Sequence, residues 1–193
     1  MPRIESSKLF TPQLSAKFAA LLFVLFSKLL LLAPMAQHVE IYTDGSARSN
    51  PGRGGYGVIL KYGTKEKELS QGFRLTTNNR MELMAVIVGL ETLNRNDLEV
   101  VVYSDSKYVV ESIEKKWVFG WQKKGFKDKK NPDLWRRFLE IYPKHKVKMK
   151  WIKGHNDHPY NERCDVLATE AADGKHLLID KGYEDSKEDI FKE

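Results

Sequence analysis

Val39-Glu-Ile-Tyr-Thr-Asp-Gly-Ser46, then Asn50-Pro-Gly-Arg-Gly-Gly-Tyr-Gly-Val-Ile-Leu-Lys-Tyr62, is the stretch from which the fold is read. The first part alternates and runs into Asp44-Gly45, as a strand entering a turn does. The second part passes through glycines to a β-branched and apolar run. No Gly-Lys-Ser/Thr follows these glycines and a strand rather than a helix comes next, against both nucleotide-binding fingerprints. Glycines 52, 54, 55 and 57 therefore read as turn geometry. Gly63-Thr64 punctuates, and Lys65 to Arg74 alternates weakly, so three strands joined by tight turns are expected.

Beyond this meander the period changes. Thr76-Thr77-Asn78 offers helix-capping side chains, and Glu82, Leu83, Ala85, Val86, Leu90 and Leu93 follow at helical spacing. Leu98-Glu-Val-Val-Val-Tyr103 is apolar enough for a strand covered on both faces. Ser104-Asp105-Ser106 caps a helix reaching about Val118, and Asn131-Pro132-Asp133 opens another to about Tyr142. Lys146 to Lys153 reads as a half-buried strand, and Tyr160 to about Ala172 as a final helix closed by Gly174. The order β-β-β-α-β-α-α-β-α predicts an α/β fold. Its sheet is mixed and five-stranded, three strands antiparallel and the later ones parallel, with helices on both faces.

The two ends differ from this domain, which spans residues 37–175. In residues 1–36, Lys8 and Lys17 precede the apolar run Phe18 to Ala33, which Ser27-Lys28 interrupts. This extension reads as an over-extended start with translation beginning at Met35, as a targeting segment, or as a short membrane anchor. It falls short of the about 20 apolar residues that a spanning helix needs. Membrane contact is expected only if the segment is real, and otherwise a cytoplasmic protein. Residues 176–193 carry six acids against three lysines and read as a solvated, frayed tail. A single cysteine, Cys164, excludes an intramolecular disulfide and any zinc site of several thiolates. His155 and His158 with Cys164 lack a fourth zinc ligand, so Cys164 reads as a small buried hydrophobe.

The chain carries a net charge of +6, but that charge is concentrated. Lys115 to Lys153 holds +11, leaving −5 elsewhere, which suits an anionic partner for that stretch. Trp117, Trp121, Phe126 and Trp135 interleave with the lysines, and Trp117 and Trp135 are expected in the core. Four carboxylates stand at structural transitions: Asp44 and Asp105 end strands, and Glu82 and Asp165 lie in helices. If the Val39 and Val100 strands are parallel neighbours, Asp44 and Asp105 emerge at the same edge, where ligands of α/β sheets collect. Several such acids in one place repel unless hard divalent cations such as Mg²⁺ or Mn²⁺ neutralise them. Spacing alone leaves helix caps and surface acids as the ordinary alternative.

The local words add to this. Ile41-Tyr-Thr-Asp-Gly-Ser46, Thr77-Asn-Asn-Arg-Met-Glu-Leu83, Tyr103-Ser-Asp-Ser-Lys-Tyr108, Trp151-Ile-Lys-Gly-His155 and Asn161-Glu-Arg-Cys-Asp165 occur in that order. Together they resemble type 1 ribonuclease H, the bacterial ribonuclease HI group in particular, over roughly Gln37 to Lys175. The resemblance implies a ribonuclease H-like fold and endonucleolytic hydrolysis of the RNA strand of RNA–DNA hybrids. Such cleavage has no sequence specificity, leaves 5′-phosphate and 3′-hydroxyl ends, and uses two Mg²⁺ ions with Mn²⁺ as a substitute. It implies Asp44, Glu82, Asp105 and Asp165 as metal-binding catalytic acids, and His155 as a mobile histidine for proton transfer or product release. Asn50, Thr77 and Asn78 would contact the hybrid's minor groove and a DNA-strand phosphate. Lys123, Lys124, Lys127 and Trp121 fall in the segment that resembles the family's basic handle on the DNA strand. That handle looks a few residues shorter here than in well-known bacterial members. The implied partner is the hybrid duplex, bound by a monomer. The alternatives on the same fold are a non-catalytic binding module, a DNA-cutting relative of resolvases and integrases, and a membrane-anchored enzyme.

Overall fold

The computed structural model describes residues 38–154, 156 and 158–188; the N-terminal extension, His155, Asp157 and residues 189–193 lie outside them. Six strands form one sheet in the order β5-β4-β1-β2-β3-β6. β1 (Val39–Ala47), β2 (Gly52–Tyr62) and β3 (Lys65–Thr76) are the antiparallel meander. β4 (Glu99–Ser104) runs parallel to β1, with Val39 opposite Val100 and Thr43 opposite Ser104. β5 (Lys146–Trp151) extends that parallel side.

Parallel neighbours need crossovers, and the helices supply them. α1 (Asn78–Glu91) joins β3 to β4; α2 (Lys107–Glu114), α3 (Trp117–Lys123) and α4 (Pro132–Ile141) lie between β4 and β5. α5 (Pro159–Asp173) follows β5. Side chains alternate between the two faces of the sheet. Ile41, Val58, Val100 and Val102 therefore pack in one core with Leu83, Val86, Trp135 and Phe138, while Tyr42 and Ile59 form a second cluster with Cys164 and Leu167 of α5. Among the described residues no helix is long and apolar enough to cross a membrane.

The glycines of β2 correct the turn reading. They lie within a strand, and three glycines of β2 and β3 form the seat of α5. A Cβ would stand 2.2 Å from the Cys164 carbonyl at Gly57, 2.5 Å from that of Ala168 at Gly55, and 1.9 Å from that of Ala171 at Gly72. The glycine run is a close helix-on-sheet contact, which local sequence cannot distinguish from turns.

The tail is a second correction. Leu177–Leu178 adds β6 beside Gly72 and Phe73, making six strands rather than five, and α6 (Lys181–Glu188) follows. Asp180 is 3% exposed and accepts 2.7 Å bonds from Nε and Nη2 of Arg80 and a 2.6 Å bond from the Thr76 hydroxyl. Arg80 is itself 2% exposed and also holds Asp133 through two bonds. A buried guanidinium needs buried counter-charges, and the tail supplies one. The single helix expected from Ser106 to Val118 is also divided. Lys116 takes a left-handed conformation with φ 60, so that Val118 turns back into the core as α3 begins.

Candidate active site

The parallel register of β1 and β4 brings Asp44 and Asp105 out at one edge of the sheet, directly beyond the Thr43–Ser104 pair. Gly45 then admits α1. A Cβ there would stand 2.1 Å from the Glu82 backbone nitrogen, so only glycine lets Glu82 come this near Asp44. The glycine seat on the sheet sets α5 and with it Asp165.

Electrostatics register the convergence. Burial pushes the Asp44 carboxyl up from its ordinary 3.8 to about 8, and Asp105, Asp165 and Glu82 all add to the rise against a 2.7 Å bond from the Gly45 N–H. Burial and Asp105 also raise Glu82, opposed by the Ser106 hydroxyl and the Asn78 amide. Asp44 thus lies within the field of the other three acids, and each of the four is held by its own donor. Ser106 donates to Glu82 while accepting from Val109 N–H at 3.3 Å, and Asn78 Nδ2 reaches Glu82 at 2.9 Å. Asn161 Nδ2 reaches Asp105 at 3.3 Å, and Thr169 Oγ1 reaches Asp165 at 3.4 Å.

Whether these acids suit divalent cations can be judged from their chemistry. The donors are all hard oxygens, and nothing but each other's charge prevents Asp44 from ionising normally once burial is accounted for. Among the described residues no three acidic, cysteine or histidine side chains gather about one point. Hard oxygen donors suit Mg²⁺, which keeps several waters and takes one or two carboxylates together with substrate oxygens. Cys164 offers no ligand: it is fully buried, and burial with Asp44 nearby raises its thiol pKa.

The other expected site residues divide into groups. Asn50 and Asn78 meet: the Asn50 Oδ1 accepts from the Asn78 N–H at 3.3 Å and so caps α1. Thr77 occupies the N-cap position, but its side chain makes no capping bond. Asn50, Thr77 and Arg80 line a cleft of about 510 Å³ with Lys130 and Arg136 on its other side. Lys123, Lys124 and Lys127 are exposed at the end of α3 and in the turn after it. Trp121 is half-buried, edge-on to Trp135 at 5.8 Å, with the Lys129 ammonium 5.5 Å from its ring. Trp135 is fully buried, as expected, whereas Trp117 is 46% exposed under Lys115 rather than in the core. The left-handed turn at Lys116 aims Val118 inward and leaves Trp117 outside. His155 lies outside the described residues. Sequence reasoning took Ser106 only as a helix cap and did not single out Asn161 or Arg80. The cap signal was the available hint for Ser106, and Asn161 had only its place at the head of the Asn161–Asp165 motif.

The mixed sheet, with acids at the edge of its parallel strands and exposed lysines on α3, is that of an α/β protein. The RNase H family model matches residues 36–173. Ribonuclease H of Aeromonas salmonicida (strain A449) is 51% identical over 155 residues, 78% of this chain and 99% of that protein. Ribonuclease H of Pectobacterium carotovorum subsp. carotovorum (strain PC1) is 52% identical over 155 residues, with the same shares. Among solved structures, LC9-RNase H1, a type 1 RNase H with the type 2 active-site motif, superposes with a TM-score of 0.66 at 30% identity, covering 78% of this chain and 80% of that one. The chain belongs to the RNase H family, as a bacterial type 1 ribonuclease H.

Proposed function

We propose that the protein hydrolyses the RNA strand of RNA–DNA hybrids endonucleolytically, without sequence specificity, leaving 5′-phosphate and 3′-hydroxyl ends. The observation that carries this reading is that Asp105, Asp165 and Glu82 all act on the Asp44 carboxyl at the edge shared by β1 and β4. Asp44, Glu82, Asp105 and Asp165 would hold two Mg²⁺ ions, or Mn²⁺ in their place, which when bound activate a water and stabilise the leaving oxygen. The chain's own part is to orient these acids, through Ser106, Asn78, Asn161 and Thr169, and to keep Asp44 largely out of bulk water. Histidine ordinarily titrates at about 6.5, which suits His155 to carry a proton at the reacting phosphate or to assist product release.

Strand choice needs a group that senses the ribose 2′-hydroxyl. The Asn50–Asn78 pair beside Glu82 is assigned that task, with Thr77 at a DNA-strand phosphate. Lys123, Lys124, Lys127 and Trp121 lie against the DNA strand. The protein acts as a monomer in the cytoplasm in this reading. Cleavage of labelled hybrid, duplex DNA and duplex RNA of one sequence, each with Mg²⁺ and with EDTA, tests it. Only the hybrid should be cut, and only with Mg²⁺; cleavage of duplex DNA, or of hybrid in EDTA, overturns it.

A further inference from the structure

Asn161 stands apart from the other polar residues near the acids. It lies in the first turn of α5 and is 3% exposed, and one end of its amide is spoken for: Nδ2 donates to Asp105 Oδ2 at 3.3 Å. The other end is not. Its Oδ1 is buried with no hydrogen-bond partner among the described residues, and so is Nδ1 of His158 at the N-cap of the same helix. A buried acceptor left without a donor is costly, so such groups mark places where water or an ion completes the structure.

The surroundings of Asp105 show how strongly this end of the site is fixed. The Trp151 indole N–H donates to the Asp105 carbonyl at 2.9 Å. Gly154 closes over the carboxylate, so near that a Cβ there would stand 2.5 Å from Oδ2. Asp105 is thus gripped from its backbone by β5, from above by Gly154 and from the side by Asn161. Of these, only Asn161 both touches the carboxylate with a directional bond and presents an unfilled acceptor beside it.

We propose that Asn161 is a positioning residue for hydrolysis: Nδ2 fixes the Asp105 carboxylate, and the buried Oδ1 accepts a hydrogen bond from a water that the bound cation orders. This rests on the reading of Asp105 as a cation ligand. Carbonyl oxygen is the right chemistry for the task, because a cation-bound water is a strengthened donor and needs an acceptor. An aspartate at 161 would supply the acceptor but lose the donor and set a fifth negative charge against Asp105.

The test is a Mg²⁺ titration of the ¹⁵N-labelled full chain without substrate, followed by nuclear magnetic resonance. The side-chain amide signals of Asn161 should move together with the Asp105 backbone signal. Asp105 moving while the Asn161 amide stays still overturns the proposal and leaves the hydrolase reading intact. If neither moves the proposal fails, and if the parent also cuts no hybrid the hydrolase reading fails with it. In kinetics, Asn161→Ala should lose at least tenfold in kcat with KM for hybrid within twofold, and need several-fold more Mg²⁺ for half-maximal binding by calorimetry. A kcat within twofold of the parent, or a loss of kcat accompanied by a raised KM and a lowered melting temperature, would overturn the proposal. Asn161→Ser is the substitute should the alanine variant not fold, and must show the same split.

Discussion

Replacing Asp44 by asparagine separates the acid's cost to the fold from its service to the reaction. The Asp44 carboxyl holds its proton to about pH 8 in the folded protein, against 3.8 ordinarily, chiefly through burial and then through Asp105. The folded state therefore binds more protons than the unfolded chain between those two values. Its stability must fall as pH rises through that window and level off above about pH 8. At about 1.4 kcal/mol per pKa unit the full loss is on the order of 6 kcal/mol, and entry of water as the acids spread should leave about 2–3 kcal/mol to be observed. The amide of Asp44→Asn cannot ionise, so the variant escapes this loss. In EDTA at about pH 9 it should be more stable than the parent by that amount, roughly 5–10 °C in Tm for a domain of this size. Near pH 4 the two should melt together. Urea or thermal unfolding at both pH values measures this directly. Saturating Mg²⁺ should narrow the gap, and hydrolysis should be abolished with hybrid binding retained. A variant no more stable than the parent at about pH 9, or equally stabilised at both pH values, would refute the claim that mutual repulsion and burial hold this site in tension.

Three further outcomes follow from the packing and charge. Asp180→Ala leaves the buried Arg80 with Asp133 alone, and should cost about 3–5 kcal/mol in urea unfolding because an under-compensated buried charge remains; a solvated tail would cost nothing. Gly57→Ala drives a methyl into the Cys164 carbonyl 2.2 Å away and should destabilise by about 1–3 kcal/mol in thermal melts. Replacing Lys123, Lys124 and Lys127 together by alanine should raise KM for hybrid more than it lowers kcat. It should also flatten the salt dependence of binding by up to about three counterions; a pure loss of turnover would place these lysines elsewhere.

The features legible in the sequence are those carried by short-range pattern. The meander and the helix over Asn78–Glu91 follow from periodicity and from connection rules, and the parallel pairing of the Val39 and Val100 strands, open in the sequence, is found in the sheet. The four acids were legible as a set only through the words around them. What escaped was fixed by contacts distant in the chain. Gly55, Gly57 and Gly72 resemble turn residues until α5 is laid over them. Asp180 looks like one acid in a polar tail until Arg80, 100 residues earlier, is found buried and in need of it. Trp117 and Trp135 are alike in composition and spacing, and only the left-handed turn at Lys116 sends one out and keeps the other in.

Stability and chemistry meet in how α5 is seated. The helix carries Asn161 and Asp165 and rests on three glycines at Cys164, Ala168 and Ala171, the first of them directly beside Asp165. Its position over β1 and β2 is therefore set by backbone contact, with no flexible side chain to absorb an error. The same device recurs on the opposite face, where Gly45 admits the backbone of Glu82. Asp44 lies within a strand, Asp105 directly follows one whose register is fixed, and the other two acids ride on helices pressed against glycine. Like charges gain nothing from being close and will separate wherever the backbone allows it. A site that must hold them together in the absence of a cation needs supports of this stiffness, and a methyl group added beneath either helix should disturb the acids as well as the core.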